Sequence, residues 1–252
     1  MRPPLVSKRV SFRWLSDPPT EPTSTLVLTS PSGYFVDVRI FNAPEYESSA
    51  FETTTPTPEP LQWAFAGTSS HDTIDPESDG QPQSRGTWVH VVDSKHPSGF
   101  EDSGVFKDLP NGYSLEFGVM HDDGAGVARE YEEVWKDWAA RPPHFTVARA
   151  ESAGEVVEGG GTKGYYICMA QYAQGVVKDE NGRLGVVRWV KDSGTDAQEW
   201  TKKFTHGEIH EWLPSPTSIR RNGGLACAGP CKWVIIEEYP STDVAQQIET
   251  CE

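Results

Sequence analysis

The chain has 252 residues, 36% of them hydrophobic, which is enough to bury one large core or two smaller ones. Its 22 Lys and Arg against 37 Asp and Glu leave a formal charge of -15, spread over both halves: residues 1–126 carry 8 basic and 18 acidic groups, residues 127–252 carry 14 and 19. A phosphate backbone or an anionic membrane would meet like charge, so nucleic acid is not an expected partner.

The stretch MRPPLVSKRVSFRWLS has no continuous apolar segment after its basic residues, and no run of about 18 apolar residues occurs anywhere. Neither a secretory leader nor membrane insertion is expected. Cys168, Cys227, Cys231 and Cys251 all lie in the last third, too few and too uneven for a disulfide framework. A reducing cytoplasmic location, with nuclear presence also allowed, fits best, and a bridge between Cys227 and Cys231 stays open.

Short strand-like runs follow one another: Thr25 to Thr29, Tyr34 to Phe41, Leu61 to Ala66, Gly86 to Val92, Tyr113 to Met120 and Arg129 to Trp138. Ser30-Pro31-Ser32-Gly33 and Pro110-Asn111-Gly112 supply hairpin turns. Acid and alanine content would suit a helix over Val127 to Ala140, but a strand aligns Tyr131 with Trp135, and the strand is the reading adopted. Residues 42–60 and 69–85, rich in Pro, Thr, Ser and acid, read as long surface loops. The boundary falls at Ala140-Arg141-Pro142-Pro143.

The second half repeats the texture, with strands expected over Phe145 to Ala150, Gly164 to Val177, Arg183 to Asp192, Gln198 to Phe204, Glu208 to Leu213 and Lys232 to Tyr239. Asn181-Gly182 should fold the third of these onto the second. Two antiparallel units, residues 1–140 and 141–252, follow from this pattern, each curling to hide its edges.

Several words of the chain are familiar: SFRWLSDPPTEPTSTLVLTSPSGYFVDVRI at residues 11–40, LQWAFAGTSS at 61–70, TWVHVVDS at 87–94 and DSG at 102–104. They continue through Leu115-Glu116, YEEVWKDW at 131–138 and KWVIIEEYP at 232–240. In these the chain resembles the fungal HRI1 family over nearly its whole length. The resemblance implies an all-β fold of two packed antiparallel lipocalin-like β-barrels, in a cytoplasmic protein associated with partner proteins. The CAGPC segment at residues 227–231 and the long Thr/Pro and Asp/Pro loops depart from the family pattern.

Nine Trp, eight Tyr and ten Phe are the most informative chemical fact. A small barrel is filled either by side chains or by ligand, so these rings either make two solid cores or line an open mouth. Trp63 and Phe65 share one strand face, Trp88 and His90 another. Treated as one long strand, Gly164 to Val177 puts Tyr166, Cys168, Tyr172 and Gln174 on a mixed face suited to a pocket wall. Arg188 or Trp189 would face them, depending on register. Trp88, Tyr166, Cys168, Tyr172, Gln174, Arg188 and Trp189 are therefore the candidate ligand contacts. Should their faces point inward, His90 and Glu116 are the candidate catalytic acid and base.

His206-x3-His210 with Cys227-x3-Cys231 supplies zinc-type ligands at a spacing unlike the common signatures, and no nucleotide motif occurs, so neither metal nor cofactor is expected. Binding of a small apolar metabolite, extending to a cofactor-free cyclase or isomerase, is the function expected. A non-enzymatic protein-interaction or scaffold role is the alternative, and a cavity above about 300 Å3 distinguishes the two.

Overall fold

The computed structural model describes residues 3–42, 60–74, 82–122, 124–141, 144–152, 161–191, 199–220, 224–225 and 230–239. Eight strands form in chain order: β1 (Leu5–Trp14), β2 (Thr23–Thr29), β3 (Tyr34–Phe41), β4 (Leu61–Ile74), β5 (Gln83–Asp93), β6 (Phe100–Leu109), β7 (Tyr113–Asp122) and β8 (Val127–Ala139). Each pairs with the next, and β8 closes antiparallel on β1, making an up-and-down barrel of the lipocalin-like kind. Residues 69–74 and 83–85, expected in a loop, are paired strand at the ends of β4 and β5. Residues 43–59 lie outside the described residues.

The register assigns every side chain in the barrel to one face. Asp37 pairs with Phe65, Trp88 with Asp102, Phe106 with Glu116, and Glu116 with Glu133, so these point into the lumen. Leu26, Leu28, Val36, Val38, Ala64, Ala66 and Val92 point outward, where the second half of the chain buries them.

That second half is not a barrel, which corrects the expectation of two. It is an open six-stranded sheet of β9 (Phe145–Ser152), β10 (Lys163–Met169), β11 (Tyr172–Lys178), β12 (Leu184–Lys191), β13 (Trp200–His206) and β16 (Cys231–Tyr239), in the order β13-β12-β11-β10-β9-β16. Two-residue strands β14 (Ile219–Arg220) and β15 (Gly224–Leu225) form a separate ladder.

Closure fails for a local reason. Glu208 to Leu213, expected as a strand, instead turns through a short 3-10 segment at His210–Trp212. Its flanking Ile209 and Leu213 pack on the sheet with Tyr166, Val177, Val187 and Trp233, and Trp233 Nε1 donates to Trp212 O at 2.7 Å. Gly175 and Gly185 permit this approach, since a Cβ at either would come within 2.5 Å of Leu213 or 2.6 Å of the Ile209 backbone. The space a second lumen would need is therefore filled.

The opposite face of the sheet packs on the barrel. Val147, Tyr165, Ile167, Met169, Tyr172, Val176 and Val186 meet the outward aliphatic groups of β2 to β5, each fully buried aliphatic contributing roughly 1.5 to 3 kcal/mol. Within this apolar layer sits a polar clamp. Gln174 Nε2 donates to Leu26 O (2.9 Å) and Val36 O (3.3 Å). Arg188 donates to Gln174 Oε1 (2.7 Å), Ser24 O (3.0 Å) and Val38 O. Among the described residues no helix is long and apolar enough to cross a membrane.

Candidate functional site

Within the closed barrel lies a cavity of about 580 Å3, well within the range of small-molecule sites. Its wall is built by period-2 alternation. Val27, Phe35, Phe65, Trp88, Phe106 and Trp135 contribute apolar surface, with buried Asp37, Arg39 and Glu116 as the deeper polar groups and half-exposed Asp102 across from Trp88. Hydroxyls gather toward one end, where Ser7, Thr29, Ser30, Ser69, Ser84 and Ser114 border the cavity with Asp108 and Asp137. The β2–β3 hairpin caps that end, and Gly33, at φ 87°, makes its turn. Ser30 Oγ and Ser32 N both bond Glu237 of β16, which ties the mouth hairpin to the open sheet.

The far end is closed by charge. Arg9 and Arg39 both reach Glu133 Oε1, at 2.6 and 3.5 Å. Arg9 also holds Glu21 (2.8 Å) and Thr23 Oγ1 (2.8 Å), and Arg39 holds Asp37 Oδ2 (2.9 Å). The Arg39 guanidinium lies 5.0 Å from the Trp63 ring centre and 5.4 Å from that of Phe65. Burial would depress its pKa, but Asp37 and Glu133 outweigh burial and leave it raised. This floor is a plug of paired ions and stacked rings.

Glu116 sits between floor and mouth. Tyr131 Oη donates to its Oε1 at 2.9 Å and Trp135 Nε1 to its Oε2 at 2.8 Å. Burial, reinforced by the neighbouring Glu133 carboxylate, pushes its pKa up to about 8, against the lowering effect of the Tyr131 bond. At neutral pH it is therefore a carboxylic acid bordering the cavity.

The shift has a consequence for stability. With an ordinary value of 4.5 and a folded value of about 8, the native state holds a proton that the unfolded chain has lost between those two points. The contribution is fully present below pH 4.5 and is lost as pH rises through about 8. Glu116→Gln, neutral throughout, should lose a few kcal/mol less stability than the parent between about pH 5 and about pH 9 in urea titrations. Parallel losses in the two proteins would contradict this origin of the shift.

Other expected site residues are placed differently. Trp88 borders the cavity beside Phe106, their ring centres 5.9 Å apart. His90, fully buried, lies toward the floor, stacked on Phe65 at 4.3 Å, with Nδ1 2.6 Å from Asp93 Oδ2. Burial would raise the Asp93 carboxyl, but bonds from His90, the Lys95 and His96 amides and Trp63 Nε1 hold it low. His90 is not part of the cavity wall, so it and Glu116 do not meet across one ligand space.

Gly164 to Val177 is two strands joined at Ala170-Gln171, where Ala170 adopts φ 51°. The turn reverses the alternation. Tyr166 and Cys168 face the side covered by the 3-10 segment, and burial pushes the Cys168 thiol up to about 12. Tyr172 and Gln174 face the barrel's outer wall, as does Arg188, while Trp189 shares the face of Tyr166. These six residues do not border the barrel cavity. Of the zinc-type side chains weighed from sequence, Cys227 lies outside the described residues.

Arg9, Glu133, Asp102 and Phe106 were not named as site residues from sequence. Arg9 lies on β1 and Asp102 and Phe106 on β6, strands with polar groups on both faces, and Glu133 lies on β8. Only the position opposite a recognisable lumen residue marks them, as Trp88 marks Asp102 and Glu116 marks Glu133.

The family described as Protein HRI1 matches residues 5–237. The chain belongs to the HRI1 family. A curated HRI1 protein of Candida glabrata is 24% identical over 260 residues, covering 91% of this chain and 97% of its own. Among solved structures, the uncharacterized protein YLR301w from Saccharomyces cerevisiae superposes with a TM-score of 0.68 at 19% identity, covering 94% of this chain and 100% of that one. At that identity the likeness to YLR301w shows a shared fold. Membership in the HRI1 family accounts for the near full-length match in which β1 and β16 are both included.

Proposed function

We propose that this protein binds a small molecule with a flat, largely apolar body in the lumen of its eight-stranded barrel, acting in the cytoplasm. The observation that carries this reading is the cavity of about 580 Å3 between a ring-lined wall and an ion-paired floor, in a barrel whose size class either fills with side chains or holds one ligand. The wall combines rings that cover an apolar body with a few convergent polar groups that orient it.

Glu116 extends the reading to chemistry. A neutral carboxylic acid at the cavity wall can protonate a bound substrate while the lumen holds that substrate in one folded conformation, which is the work of a cofactor-free cyclase or isomerase. Tyr131 and Trp135 fix both of its oxygens, so the acid is held in place before a ligand arrives.

Titration with the neutral probe N-phenyl-1-naphthylamine tests the binding reading. Saturable probe emission is expected, with quenching of Trp88 and Trp135. Trp88→Leu should weaken the probe by about 1 to 3 kcal/mol, whereas Trp189→Ala on the open sheet should leave affinity unchanged. No saturable binding, or binding lost only in Trp189→Ala, would contradict a lumen site.

A further inference from the structure

We propose that the lumen selects an organic cation, a protonated amine carried on a flat aromatic or polycyclic body, over neutral and anionic ligands of the same shape. This rests on the lumen being the binding site and names the charge of its occupant.

The cavity wall carries five acidic side chains, Asp37, Asp102, Asp108, Glu116 and Asp137, against two basic ones, Arg39 and His71. Arg39 is already engaged by Asp37 and Glu133, so its charge is spent in the floor. Glu116 is protonated at neutral pH, and the three outer aspartates carry the remaining excess. Asp102 stands directly across from Trp88, and Asp137 accepts a bond from Ser114 Oγ at 3.1 Å.

A second observation points to an absent donor. Asp37 is 3% exposed and borders the cavity, and while its Oδ2 holds Arg39, its Oδ1 has no hydrogen-bond partner. A buried carboxyl oxygen without a partner is costly. Burial raises the Asp37 carboxyl despite the Arg39 beside it, and an N–H of a bound ammonium would satisfy Oδ1 and favour the carboxylate. Trp88, Phe106, Phe35 and Trp135 add ring faces of negative potential, which favour a cation and disfavour an anion. The acids are dispersed along the wall: no cluster of three or more metal-type ligands occurs among the described residues. A cation with an extended apolar body matches such a wall better than a point charge.

Three isosteres of one frame decide the matter: 2-naphthylmethylamine, 2-naphthylmethanol and 2-naphthoate, titrated calorimetrically into the full chain at neutral pH. The amine is expected to bind at least about tenfold more tightly than the alcohol, and the acid most weakly. Asp102→Asn, at a half-exposed position, should remove most of the amine's advantage over the alcohol. Asp137→Asn supplies an independent variant with the same expectation. Equal affinities for amine and alcohol, or tighter binding of 2-naphthoate, would overturn the charge selection while leaving lumen binding intact. Failure of all three to bind would overturn lumen binding itself, and this inference with it.

Discussion

Glu133→Ala is expected to destabilise the protein by about 3 kcal/mol, at the lower end of what breaking a buried ion pair costs. Glu133 is 2% exposed and its Oε1 is the shared acceptor for Arg9 at 2.6 Å and Arg39 at 3.5 Å. Its removal leaves two guanidinium groups without their shared carboxylate in the barrel floor, where the charge of Arg39 already works against that of Arg9. The loss is limited because each arginine keeps a second partner, Glu21 for Arg9 and Asp37 for Arg39. For a chain of this size the shift corresponds to roughly 6 to 12 °C in melting temperature. Glu133→Gln, which retains an acceptor oxygen, should fall between the parent and the alanine variant. A melting temperature unchanged in Glu133→Ala would show that the floor contributes nothing to closing the barrel.

The second large effect is expected at the seam between barrel and sheet. Arg188 is 5% exposed, and burial lowers its pKa to about 10 despite the opposing field of Asp37. It is held there by Gln174 Oε1, Ser24 O and Oγ, and Val38 O. Arg188→Met keeps the volume and apolar stem but removes all of these bonds from inside an aliphatic layer. Hydrogen bonds to a charged group are worth about 1.5 to 3 kcal/mol each, partly offset by the arginine's own desolvation, so a net cost of about 3 kcal/mol is expected. Gln174→Leu should couple to it, the double variant losing clearly less than the sum of the two singles. Arg188→Lys should rescue poorly, because a single ammonium cannot span the positions the guanidinium fork reaches. Additive losses, or full rescue by lysine, would contradict the clamp.

The legible strands were those with one apolar and one polar face. In β3, Val36 and Val38 point to the sheet while Asp37 and Arg39 point to the lumen, and the alternation is plain in the sequence. Tyr131 and Trp135 were aligned correctly once β8 was taken as a strand. By contrast β1 and β6 escaped notice because their lumen faces carry Ser7, Arg9, Asp102 and Asp108 and their outer faces are also partly polar. A polar lumen erases the period-2 signal that normally announces a strand.

The opposite difficulty hid the hairpin of β10 and β11. Both faces of these strands are buried, one against the barrel and one beneath the 3-10 segment, so the run is apolar throughout. Its turn uses Ala170 at positive φ where Gly or Asn is usual. That one unmarked turn sets Tyr172 and Gln174 on the face opposite Tyr166 and Cys168, where one continuous strand would have put all four together. Glu116 and Trp88 lie on strands that alternation makes legible, whereas the contact of Arg9 with Glu133, 124 residues apart, depends on barrel closure.

The central claim, that a ligand lies inside the closed barrel, is tested most directly by mapping backbone amide shifts in labelled protein saturated with 2-naphthylmethylamine. The expected pattern concentrates on lumen-facing positions of the barrel, at Val27, Phe35, Trp88, Gly104, Glu116 and Trp135, with residues of the open sheet little moved. Shifts confined to Tyr166, Cys168 and Trp189, or scattered over the surface without a lumen focus, would contradict it.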